Sequence, residues 1–120
     1  MIDVDILSRA TNCLVKISGQ IEKDIPLTKV LMFEQLSPVP KAMRIDGVVF
    51  AIQEKAGFNL WWVEGEGSEK RLILPLESRG YFNFEGMQSL QSKHALGIAM
   101  TSFNVTTPKT FLILLDMVKQ

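Results

Sequence analysis

The chain has 120 residues, 47% apolar and 22% charged, which suits one globular domain over residues 1–120 whose core needs no metal or disulfide staple. Thirteen basic residues cancel thirteen acidic ones, and the longest basic run is only Lys70-Arg71, so no strong field draws in nucleic acid or anionic lipid. The lone cysteine, Cys13, excludes an intrachain disulfide.

The N-terminal stretch carries Asp3 and Asp5 where a secretory leader needs a basic segment followed by an apolar one. The most apolar run, residues 111–118, is far shorter than a membrane span and contains Asp116. Both features predict a soluble, cytoplasmic chain without a membrane partner. Asn104-Val105-Thr106 matches a glycosylation acceptor, but no export signal accompanies it.

In chain order, "VDILSRA" predicts a short helix with Ile6 and Leu7 inward, and "CLVKISG" alternates as a strand ended by Gly19. "KVLMFEQL" (29–36) has no clear period, and the two prolines of "SPVPK" then break any regular element. "AMRIDGVVFAIQE" reads as a long strand or two pieces with a bulge or bend at Gly47. "EKAG" (54–57) predicts a hairpin connection into "FNLWWVE", and "GEGSEK" (65–70) a second turn into "RLILPLE". Pro75 places this last strand at a sheet edge or ends it early. "RGYFNFEG" (79–86) is a further short extended piece, and "MQSLQSKHAL" one or two helical turns or an irregular loop. "GIAMTSFNV" and "KTFLILLDMV" close the chain as two strands joined through "TTP". About seven short strands with little helix predict an antiparallel β-sandwich, jelly-roll-like, or a barrel. The alternative is an α+β arrangement with an N-terminal helix packed on one sheet.

Alternation then assigns faces. Phe58, Leu60 and Trp62 form one inward set, with Val48, Phe50 and Ile52, with Leu72, Leu74 and Leu76, and with Phe111, Ile113, Leu115 and Met117. The opposite parity should be polar on a solvated face. Instead it carries Ile45, Val49 and Ala51, Trp61 and Val63, Ile73, and Leu112 and Leu114. Such a second apolar face needs a cover: the N-terminal segment, the "MQSLQSKHAL" loop, or another subunit.

Catalytic signals are sparse. His94 and Cys13 lack an orienting acid or amide, and Cys13 reads as a small buried hydrophobe. One histidine and one cysteine do not make a zinc site. No nucleophile elbow surrounds Ser68, "GEG" is too short for a dinucleotide fingerprint, and no phosphate-binding loop occurs. Glu64, Glu66 and Glu69 do not follow calcium-loop spacing and read as a solvated turn. No cofactor is expected. A ligand platform would use Trp61 and Tyr81 for stacking, with Asn59, Asn83 and Arg79 as hydrogen-bonding partners, while Phe82 and Phe84 go to the core. An enzyme would rest on carboxylates such as Glu54, Glu77 and Glu85.

These readings rank as follows. The first is a non-enzymatic β-sandwich module acting by self-association or docking in a larger assembly, for example a particle component, through Trp61, Ile73, Leu112 and Leu114. A homo-oligomer, dimer or trimer, is its partner state. A carbohydrate or small-ligand module at Trp61, Tyr81, Arg79 and Asn59 comes second, and a carboxylate enzyme third.

Overall fold

The computed structural model describes residues 1–65, 69–84 and 90–120. Among them, nine strands form two antiparallel sheets: β1 (Ile2–Ser8), β2 (Asn12–Ile21), β3 (Thr28–Met32), β4 (Met43–Ile52), β5 (Gly57–Val63), β6 (Lys70–Glu77), β7 (Arg79–Asn83), β8 (Gly97–Phe103) and β9 (Lys109–Lys119). A single 3-10 turn follows β3 at Phe33–Gln35, and among the described residues no helix is long and apolar enough to cross a membrane. One sheet runs β1-β2-β9-β4-β7 and the other β3-β8-β5-β6.

Strands β2 to β9 pair as a nest: β2 with β9, β3 with β8, β4 with β7, and β5 with β6, all antiparallel. The chain is thus one long ribbon with β5–β6 at its tip. Successive pairs fall alternately into the two sheets, and the contacts β4–β9 and β5–β8 roll the ribbon shut. This is the jelly roll, a mainly-β sandwich. β1 is an extra edge strand on β2.

The core fills the space between the sheets with hydrocarbon. Cys13, Val15 and Ile17 from β2 meet Phe111, Ile113, Leu115 and Met117 from β9, and Phe58, Leu60 and Trp62 from β5. Phe58 packs on Phe111 with ring centres 4.5 Å apart, and Phe33 meets Trp62 edge-on at 6.4 Å. Ser92 is the one buried polar residue among those described. Its backbone N–H donates to the Met43 carbonyl at 2.7 Å, and its Oγ accepts from the Met43 N–H at 2.8 Å.

Several expectations are corrected here. "VDILSRA" forms no helix. Residues 2–8 are β1; Leu7 points to the outer face with Leu14, and Ile6, of inward parity beside Val15, stays partly open because an edge strand has no neighbour beyond it. β2 runs past Gly19 to Ile21. "EKAG" turns as expected but makes no hairpin, since β4 and β5 lie in different sheets, and "TTP" also crosses between sheets. Pro75 does sit on an edge strand, β6, which continues beyond it to Glu77.

Two bulges shift the predicted faces. The extra residue Asp46 in β4 turns Ile45 inward, fully buried, although the alternation set it beside Val49 and Ala51 on the outer face. An extra residue in β6 at Ile73 has a similar effect. It turns Leu72 outward, 48% exposed, and leaves Ile73 partly buried against the core. Phe82 keeps inward parity opposite Val48, yet it is 41% exposed because β7 is an edge; it stacks on Phe50 at 5.5 Å and Phe84 at 5.6 Å.

Candidate functional site

Trp61 lies on the outer face of the four-stranded sheet, opposite Ala99 on β8 and Leu72 on β6. It is half-buried. Its indole N–H donates to Thr101 Oγ1 at 3.0 Å, and the Lys70 ammonium sits 5.0 Å from its ring centre. Neighbours on its own sheet therefore satisfy its polar edge and cover part of its π-face. Val63 shares that outer parity and is wholly buried.

The five-stranded sheet has a different outer face. Cross-strand register sets three rows on it: Asp3–Ser18–Leu112–Ala51–Arg79, Asp5–Lys16–Leu114–Val49–Tyr81, and Leu7–Leu14–Asp116–Gly47–Asn83. A groove of about 480 Å³ opens between β2, β9, β4 and β7. Its apolar wall is Leu14, Val49, Tyr81, Leu114 and Val118, and its polar wall is Asn12, Asp46, Asn83 and Asp116. Gly47 forms an open floor: a methyl placed there would meet nothing nearer than Asp116 Cβ at 3.6 Å and the Phe82 carbonyl at 3.7 Å. Tyr81 is 63% exposed, Leu14 44% and Val49 41%. The Asp46 carboxylate is held at the rim by Arg44, Nε to Oδ1 at 2.6 Å.

These placements divide the predicted sites. Asn59 and Trp61 are on the four-stranded sheet and Arg79 and Tyr81 on the five-stranded one, so they do not form one ligand platform. Trp61 and the pair Leu112 and Leu114 likewise face opposite sides of the sandwich, and Ile73 packs inward, so these four do not share one interface. Tyr81 and Leu114 do come together, in the groove. The reasoning from sequence missed Leu14, Asp46 and Asp116 there. Leu14, apolar at the exposed parity of β2, was one available signal, and Gly47 beside the Asp46 bulge was the other.

Among the described residues, neither predicted internal cover lies on this groove. The N-terminal forty residues supply β1, β2 and β3 to the sheets themselves. Residues 90–96, the described part of "MQSLQSKHAL", put Leu90 and Ala95 into the core and bridge Gln91 to Arg44.

Cys13 is buried, and burial pushes its thiol above the ordinary 9.0 against a smaller opposing pull from the Lys119 charge, whereas His94 is exposed in a turn. Among the described residues no cluster of three or more His, Cys, Asp or Glu could hold a metal ion. Glu54 and Glu77 line one shallow depression with Ser78, Asn104 and Thr106, both carboxylates being exposed; Glu85, Glu66 and Ser68 lie outside the described residues.

No protein-family model matches the sequence, and no curated protein matches it. The chain is similar to a number of solved structures, three of which follow. Peruvianin-I, a cysteine peptidase from Thevetia peruviana latex, shares 10% identity with a TM-score of 0.39, over 95% of this chain and 60% of that one. A cupin domain from Bordetella pertussis shares 6% with a TM-score of 0.39, over 99% and 94%. The cupin domain of Schizosaccharomyces pombe Cnp3 shares 4% with a TM-score of 0.38, over 99% and 60%. The chain thus spans under two thirds of the first and third. Likeness this distant carries nothing about activity, and the jelly-roll assignment rests on the strand pairing itself.

Proposed function

We propose that this chain is a non-enzymatic jelly-roll module that works by self-association, as a subunit of a larger assembly, through the outer face of its five-stranded sheet. The observation that carries the reading is the uncovered apolar stripe Leu14–Leu114–Val49–Tyr81 running across four adjacent strands. Burying one such side chain is worth about 1.5–3 kcal/mol, so the stripe gains from a partner surface. Five strands spaced about 4.8 Å apart, over some eight paired residues, offer roughly 650 Å² per subunit, near the lower end for a specific interface. Zero formal net charge leaves no overall repulsion between copies.

Sedimentation equilibrium tests this directly. The wild-type chain should associate at tens of micromolar, and Leu114→Glu should stay monomeric because the interface would bury an unpaired carboxylate. Trp61→Glu, on the opposite sheet, should associate like wild type. A wild-type monomer, or equal effects of the two substitutions, contradicts the reading.

A second reading has one specific observation in its favour. The exposed Tyr81 ring stands beside Asp46, Asn83 and Asp116, an aromatic with polar neighbours of the kind that holds a sugar ring. Titration with mono- and disaccharides, followed by tyrosine fluorescence, distinguishes it: saturable binding lost in Tyr81→Ala supports a ligand groove.

A further inference from the structure

We infer that the second copy docks face to face with its two-fold axis running along β9, which sets the acidic β1 edge of each subunit against Arg79 of the other. This rests on the self-association reading and specifies its geometry.

β9 is the middle strand of the five, with β1 at one edge and β7 at the other. A face-to-face dimer has its axis in the plane of contact. If that axis follows β9, each row keeps its level along the strands and is reversed from edge to edge. Asp3 then lies over Arg79 of the partner subunit, because both end the row that passes through Ser18, Leu112 and Ala51. Asp5, by the same reversal, lies over Tyr81 of the partner subunit. Among the described residues, Asp3, Asp5 and Arg79 carry no ion pair within the chain, so these charges await partners. Leu14 lies over Gly47 of the partner subunit, a projecting side chain above the one floor position that has none.

An axis across the strands sets each residue of its own row on itself: along the Leu114 row it places Asp5 on Asp5 and Lys16 on Lys16, and along the Leu112 row Asp3 on Asp3 and Arg79 on Arg79. Like charges in direct opposition are costly at an interface. The axis along β9 has one such cost, since the two Asp116 carboxylates face each other across it. An axis across the strands along the Asp116 row shares that cost but does not bring Asp3 to Arg79, so the charge exchange separates the two arrangements.

The test is a charge exchange on the full chain, read as dissociation constants by sedimentation and as subunit composition by native mass spectrometry. Asp3→Arg alone and Arg79→Asp alone should each weaken association about tenfold or more, since each creates two like-charge contacts. Mixed in equal amounts, the two variants should form a heterodimer of about wild-type strength, in which both contacts are again complementary; this recovery also shows that both variants fold. Asp116→Asn should tighten the wild-type dimer. A wild-type dimer indifferent to the single reversals, or a mixture no stronger than its components, overturns the axis while leaving self-association standing. A wild-type monomer overturns self-association itself.

Discussion

Adjacent tryptophans on one strand face opposite environments, and their substitutions should differ accordingly. Trp62 is fully buried between the sheets, so Trp62→Ala should cost about 3–5 kcal/mol in urea unfolding. Trp61→Ala removes a hydrogen bond to Thr101 and a half-covered ring beneath Lys70, together worth about 1–2 kcal/mol. Equal losses would contradict the assignment of faces. This split was legible from alternation alone, because β5 carries no extra residue between Phe58 and Trp62. Cys13 gives a pH-dependent counterpart. Its folded thiol is held above the ordinary 9.0, so above that pH the unfolded chain has released a proton that the folded chain keeps. The stability contributed by Cys13 is therefore complete below pH 9 and falls as pH rises through the folded value; Cys13→Ala should remove that alkaline component from a pH series of unfolding midpoints. An unchanged alkaline slope in the variant would show that the thiol does not contribute.

At the scale of elements, position in the sheet matters more than local sequence preference. β9 is flanked on both sides by long strands, β2 and β4, while β1 and β7 each have one neighbour and mostly exposed side chains. Native-state hydrogen exchange of the dilute chain should find β9 amides the slowest and those of β1 and β7 the fastest. Amides in β7 as slow as those in β9 would contradict the edge placement. The same logic explains what the sequence concealed. "VDILSRA" has a helix-compatible spacing, but pairing with β2 over seven residues decides its state, and pairing is not a local property. The edge position of β6 was readable because Pro75 has no N–H to donate. The bulges at Asp46 and Ile73 were only half readable. Gly47 signalled the first, and nothing in "RLILPLE" signalled the second, so Leu72 and Ile73 exchanged roles.

For the whole molecule, alternation predicted a sandwich, which exists, and a single second apolar face, whose residues the two sheets divide. It did not reveal that the outer residues belong to different sheets. That depends on which strands cross from sheet to sheet, and "EKAG" and "TTP" read equally well as hairpin turns or as crossings. Once the nested pairing is known, Leu112 and Leu114 separate from Trp61, and Leu14, Val49 and Tyr81 join them across the five-stranded sheet. The central claim is that this face meets a second copy, and small-angle X-ray scattering tests it most directly. The isolated chain has a Cα radius of gyration of 13.6 Å. Two sandwiches stacked by faces about 10 Å apart have centres roughly 20 Å apart and a combined radius of about 17 Å. At a concentration where association is complete, the account predicts that value of about 17 Å; a radius that stays at the single-chain value, or one of about 20 Å from strands joined side by side about 30 Å apart, would contradict it.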